Sequence, residues 1–303
     1  MESATFGGID YVNSVNVQDE KFYSGKSMSK WWRRAGLRAA NVSLGLIIPS
    51  VILTVWLLDG FFHWLPSALI PTPREIFIAL EVWSGHGAER YHQLFYWNML
   101  ASDTSITLIR LSIGFVLAVF IGVGSGIAIG MSPFADNLLT PTFRVLGPIP
   151  PITIFPLAII LLGLGSQTNI FLTFYGAFFP IMAASATAVA SVPRDFLRAG
   201  RMLGYSGFHR IILVVLPSAL PAIIGSIRLG LGLAWMMEVT SEMMGVHSGL
   251  GYTMWNAYNY FDYSEVYAAM LVIGSCGFAS DYIVRLITKK SVAWHEQTGV
   301  RGS

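Results

Sequence analysis

The chain has 303 residues, 54% hydrophobic and only 12% charged, with a formal net charge of +2. A water-soluble domain carries about twice that share of charge, so a single water-soluble core is excluded and lipid-facing helices are expected. One cysteine, Cys276, excludes an intramolecular disulfide and every multi-cysteine metal site. Nothing in the charge pattern points to a nucleic-acid partner.

Met1–Lys26 is polar and mixed in charge, unlike a cleavable signal, and residues 1–43 are expected to form a cytoplasmic tail. Six apolar blocks follow, at about 44–64, 105–131, 138–162, 169–190, 217–239 and 266–288. Each suits a hydrocarbon layer that takes about 20 helical residues to cross. The first block ends in aromatics, as at a membrane interface. In the second, Gly122, Gly126 and Gly130 recur every four residues, which favours close helix packing. The third holds Pro141, Pro148, Pro150, Pro151 and Pro156, too many for one unbroken helix. It is either a kinked helix after an interfacial segment or a broken span shielded by its neighbours. Between the first two blocks, PTPREIFIALEVW predicts a short amphipathic helix after Pro73. Residues 240–265, rich in glycine and aromatics, predict a second outer connection that serves as a gate or docking rim.

Charge placement predicts the orientation. Lys30, Arg33, Arg34 and Arg38 precede the first span, Arg194, Arg198, Arg201 and Arg210 lie between the fourth and fifth, and Arg285, Lys289 and Lys290 close the sixth. Six crossings put all three clusters on one side, which the positive-inside rule makes cytoplasmic. The expectation is an all-α, multi-pass membrane protein of about six transmembrane helices. Its membrane domain covers 44–290, a tail covers 291–303, and both termini are cytoplasmic.

Between Ser191 and Val215 the chain is too charged to span. Phe196, Ala199, Met202 and Leu203 lie at helical spacing, with Arg194, Arg198 and Arg201 among them. A short helix, a turn at Gly204 and a second short helix ending before Pro217 are predicted. Such a segment either rests on anionic headgroups or docks on a protein.

Arg198-Ala199-Gly200, then Gly204, then Leu216-Pro217, resembles the coupling loop of bacterial ABC-importer permeases, with its Glu-Ala-Ala triplet, later glycine and Leu-Pro pair. AWMMEVTSEMMG with Gly249-Leu250-Gly251, and upstream PIPPITIFPLAIILLGLG, are similar to the nitrate, sulfonate, taurine and bicarbonate group. The resemblance covers about residues 65–294. It departs at Arg198, where the family has an acid, and at Gly200, where it has alanine. It implies a coupling region at 192–210, with Phe196, Arg198, Ala199, Gly200, Arg201, Leu203 and Gly204 toward a cytoplasmic ATPase dimer that binds ATP and Mg. It also implies a second permease subunit of the same kind and a periplasmic or lipid-anchored substrate-binding protein. The expected cargo is a small anion or sulfonated solute such as nitrate, bicarbonate, taurine or an alkanesulfonate, and this chain is no enzyme.

Three charges of the fifth span and its outer end are candidate pathway or gate residues. Arg228, near mid-membrane, either attracts an anion or straps two helices together. Glu238 and Glu242, one turn apart at the outer end of the fifth span, line an entrance or meet a basic partner. Arg110 reads as structural, snorkelling to the outer boundary, and Asp281 as one end of an interhelical hydrogen bond. The glycine-rich GVGSGIAIG lacks the Lys-Ser/Thr of a nucleotide loop, and the histidines are too dispersed for a metal cluster. The alternative to an ATP-driven permease is a gradient-driven secondary transporter.

Overall fold

A computed structural model describes most of residues 47–60, then 70–85 and 99–299, with side chains described as far as Lys289. The chain divides after Trp64 into two units. In the first, the described positions between 47 and 60 are helical. The expected tail 1–43 and part of the first predicted span lie outside the described residues.

The second unit opens with α1, Pro73–Trp83. Thr72 caps it in a reciprocal box: its hydroxyl accepts from the Glu75 N–H, and the Glu75 carboxylate accepts from the Thr72 N–H at 2.9 Å. With Pro73 at the first helical position, this is the amphipathic helix expected there.

The frame is α2, Met99–Met131, packed along α5, Ser166–Ala190. The predicted glycine stripe lets these two backbones approach. A Cβ on Gly122 would stand 3.1 Å from Ile181 Cγ2, and one on Gly126 2.6 Å from Ser185 Cβ. Arg110 meets Ser166 near the two helix starts, and Gly130 meets Val189 near their ends. The helices therefore run in the same direction, so the chain between them must return along the bundle.

That return is the proline-rich block, which is broken. α3, Pro133–Leu146, and α4, Pro151–Leu162, are bent by 98° across residues 147–150. Pro150 and Pro151 have no N–H to continue α3 and instead begin α4. The Leu146 carbonyl at the break accepts from the Ile149 N–H at 3.1 Å and from the Tyr175 hydroxyl at 2.7 Å. α3 climbs beside α5, where Phe143 sits edge-on to Phe178 and Phe179.

α6, Arg194–Met202, and the one-turn α7, Gly207–Arg210, lead into a π-helical turn, Ile211–Val215, and then α8, Leu216–Gly245. The second short helix thus joins the fifth span instead of ending before Pro217. Leu216 N–H reaches back to Ile211 O, a wider turn that precedes the proline ring and its missing donor. At its far end α8 continues to Gly245, past the expected limit at 239. The supposed loop 240–265 is mostly helical too, with α9 at Leu250–Asn259, before α10, Tyr263–Gly299.

Leu111 and Ala118 of α2, Ala177, Phe178, Ile181 and Met182 of α5, and Leu231, Ala234 and Trp235 of α8 form the main core. α10 closes over α8 through Trp235 Nε1, which donates to Ser280 Oγ at 2.8 Å. Cys276 packs against this core as a helix-packing residue. Among the described residues, four helices are long and apolar enough to cross a membrane, or five when the bent pair is counted as one span.

Candidate functional site

Two polar regions stand at opposite ends of α8, a helix of 30 residues and hence about 45 Å long.

At its start, α6 is held by its inner face. Gly200 is buried, and a Cβ there would lie 3.0 Å from Val214 Cγ2. That contact accounts for glycine where the resemblance expects alanine. Leu197 packs against the cluster of Ala188, Val189, Val192, Val215, Ala219 and Ile223. Asp195 in the first turn and Arg201 in the last complement the helix dipole. The helix ends in a Schellman motif: Tyr205 N–H donates to Gly200 O at 3.0 Å and Gly204 N–H to Arg201 O at 3.1 Å. Gly204 takes φ +80°. Gly204→Ala is expected to cost about 1–2 kcal/mol in that left-handed position, read as faster amide exchange at Gly204 and Tyr205.

The outer face of α6 is bare. Phe196, Met202 and Leu203 are 54%, 88% and 71% exposed, and Arg198, Ala199, Arg201 and Gly204 are exposed as well. The predicted apolar side therefore points away from the bundle. Arg198 meets only Asp195, at 3.3 Å, an exposed pair worth little.

At the other end, Asp103, Thr107 and Arg110 lie on one buried face of α2, opposite Glu238 and Glu242 of α8. Arg110 Nη1 donates to Glu242 Oε1 at 3.0 Å and to Ser248 O at 2.8 Å, Nη2 to Ser248 Oγ at 2.9 Å, and Nε to Ser166 Oγ at 3.0 Å. These side chains also cap α9. Gly249 N–H donates to Asp103 Oδ1 at 3.2 Å, Leu250 N–H to Thr107 Oγ1 at 2.9 Å, and Gly251 N–H to Glu242 Oε2 at 2.9 Å. Asp103 further accepts from Thr253 Oγ1 at 2.8 Å and Trp83 Nε1 at 3.4 Å. The Gly-Leu-Gly motif follows from this packing. A Cβ on Gly249 would overlap the Glu242 carboxylate, and one on Gly251 would stand 2.5 Å from Val239 O.

The structure thus brings Glu242 and Arg110 together and seals both from solvent; Arg110 does not snorkel. Glu238 is fully buried as well and accepts from Thr173 Oγ1. α8 continues past its predicted end, and both glutamates are enclosed by helix packing instead of lining an open entrance. Arg228 forms a two-pronged ion pair with Asp281 of α10, Nε to Oδ1 at 2.8 Å and Nη2 to Oδ2 at 2.9 Å. Of its two readings, a strap between helices is what the geometry displays, made through a carboxylate and not through backbone carbonyls.

Sequence reasoning passed over Arg144. It lines a cavity of about 670 Å³ between α3 and the second half of α5. The available signal was a lone arginine inside a proline-rich apolar block.

Residues 114–292 match the family described as binding-protein-dependent transport system inner membrane component. Taurine transport system permease protein TauC of Escherichia coli (strain K12) is 29% identical over 264 residues, 87% of this chain and 93% of TauC. The aliphatic sulfonates transport permease protein SsuC of Bacillus subtilis (strain 168) is 30% identical over 86% of this chain and 91% of its own. Nitrate import permease protein NrtB of Leptolyngbya laminosa is 30% identical over 81% and 88%. Among solved structures, a chain of the MetNI methionine ABC transporter superposes with a TM-score of 0.53 at 21% identity, covering 63% of this chain and 97% of that one. The fold and these likenesses define an inner-membrane transport subunit. The chain belongs to the binding-protein-dependent transport system inner membrane components. It is a permease of an ABC importer, not an enzyme, and family membership sets aside the gradient-driven alternative.

Proposed function

We propose that this permease carries a small oxyanion or sulfonated solute inward, in a pair with a second, identical copy, above a cytoplasmic ATPase dimer that binds ATP and Mg. A periplasmic or lipid-anchored binding protein delivers the solute to the end of the bundle that carries Glu242. The observation that carries this reading is α6: anchored by Gly200 and Leu197, it leaves Phe196, Met202 and Leu203 exposed at the foot of α8. A lever fixed on one face and bare on the other can receive force from a partner and pass it along α8. Phe196, Arg198, Ala199, Arg201 and Leu203 form its contact face, while Gly200 and Gly204 set its angle. The basic clusters support a cytoplasmic side for this end and for both chain termini. Tails at 1–43 and 291–303 then flank a membrane domain of 44–290 with the coupling region at 192–210.

Glu242 and Arg110 lock the outer end, and Arg228 with Asp281 ties α8 to α10, so α8 moves as a rigid piece carrying its neighbours. Glu238 and Arg228 border the pathway through that motion and not as open lining groups. The names of SsuC, TauC and NrtB support the solute class.

Proteoliposomes test the assembly. Concentrative uptake is expected with the ATPase and binding protein present, and its persistence without the ATPase sinks the proposal. In a Cys276→Ser background, Leu203→Cys is expected to crosslink to a cysteine scan across the ATPase surface. If Leu203, Phe196 and Met202 positions all fail in the assembled transporter, α6 is not the coupling element.

A further inference from the structure

Three arginines lie within the helices of the bundle, and two are neutralised: buried Arg110 by Glu242 and half-buried Arg228 by Asp281. The third is Arg144. Its neighbour Phe143 packs on Phe178 and Phe179, and Leu146 O accepts from Tyr175, so this part of α3 lies level with the middle of the 25-residue α5. Among the described residues, Arg144 has no ion pair and no side-chain hydrogen bond, and it is exposed. An uncompensated arginine at mid-depth is costly in lipid, and such residues face aqueous paths and bind what passes along them.

What Arg144 faces is the cavity of about 670 Å³, shared with Asp136 and Thr140 of α3 and Met182, Ala186 and Thr187 of α5. Two hydroxyl donors of that wall are already used: Thr140 donates to Asp136, and Thr187 to Ala183 O at 2.9 Å, while Ser132, at the rim, caps the start of α3 by accepting from Ala135 N–H. Arg144, with N–H groups arranged to fork onto two oxygens, is the charged donor left for a ligand among the described lining residues. Asp136 lies two helical turns nearer the α6 end, so an anion is drawn to the middle of the cavity and not to its lower rim. One cation on a wall of methyl groups and spent hydroxyls binds weakly, which release toward the cytoplasm requires.

We propose that Arg144 is the anion-contacting residue of the inner half of the translocation path, where an oxyanion or sulfonate docks its oxygens on the guanidinium before leaving toward α6. This rests on the reading of the protein as an importer of small anions. The test uses the complete transporter in proteoliposomes, with nitrate, bicarbonate, taurine and methanesulfonate as probes. For the probe taken up by the unaltered protein, Arg144→Gln is expected to lower uptake per ATP hydrolysed about tenfold, the loss of one charge-assisted hydrogen bond. Arg144→Lys, which keeps the charge and loses the fork, falls between the two. In a Cys276→Ser background, Arg144→Cys is expected to regain uptake when an aminoethyl methanethiosulfonate restores the positive charge, and not when the sulfonatoethyl reagent is used. Uptake per ATP by Arg144→Gln equal to that of the unaltered protein overturns the assignment alone. So does a thiol at 144 that neither reagent reaches, or loss of assembly in the glutamine and lysine variants alike, which marks a structural arginine. If the unaltered transporter imports none of the four probes, the anion reading falls and takes this assignment with it.

Discussion

Glu242→Ala is expected to destabilise the protein by about 3–5 kcal/mol, the cost of breaking a buried ion pair from one side. Glu242 is fully buried and Arg110 nearly so. Removing the carboxylate leaves a guanidinium without its counter-charge and the Gly251 N–H without its acceptor. The damage reaches beyond the pair, because Glu242 also holds Thr107, which caps Leu250. The start of α9 should therefore loosen first, with amide exchange at 249–253 accelerating before the α2–α5 core responds. Glu242→Gln keeps an acceptor for Gly251 and should fall between the alanine variant and the unaltered protein. Thermal melting in detergent checks the ranking. An unchanged melting temperature for Glu242→Ala would show that water or lipid already shares the burden of Arg110.

The second large effect is expected at Gly126. Its missing side chain lets α2 lie against Ser185, Met182 and Ala186, and even a methyl group would stand 2.6 Å from Ser185 Cβ and 2.7 Å from Met182 O. Both obstacles are close to the α5 backbone and have no rotamer of escape. Gly126→Ala should cost about 1–3 kcal/mol of overpacking, and Gly126→Leu should prevent the two helices from pairing. Two residues earlier, Gly124 has open space where its Cβ would go. Gly124→Ala should be neutral or slightly stabilising, because alanine is the better helix former. The contrast is the test: equal melting temperatures for Gly126→Ala and Gly124→Ala would mean the stripe does not set the helix distance.

How much of this was legible in the residues differs from element to element. The glycines at 122, 126 and 130 announced a close helix contact, and the structure supplies α5 as the other side. The short amphipathic helix expected after Pro73 forms at Pro73–Trp83, where Thr72 and Glu75 cap it. Gly204 marked a turn and occupies a left-handed one. These signals are local: a cap, a turn or an apolar stripe is written within about one or two helical turns, where neighbours in sequence are neighbours in space.

The partners of the charges within the helices were not legible. Arg110 and Glu242 are 132 residues apart, and Arg228 and Asp281 are 53 apart. No periodicity links such pairs, since they meet only when particular faces of α2, α8 and α10 are turned toward one another. Glu238 and Glu242 read as lining an entrance or meeting a basic partner at the outer end of the fifth span, yet the helix continues to Gly245, where neighbouring helices satisfy their polar groups. The prolines at 148, 150 and 151 required an interruption without saying where the chain would go next. Its route follows from α2 and α5 running the same way, which forces α3 and α4 back along the bundle and brings Arg144 to mid-depth. Chain-order chemistry thus specified which segments enter the membrane and which cannot. Packing among distant helices settled which charges neutralise each other and left Arg144 without a partner among the described residues, because folding pairs residues through space and not along the chain.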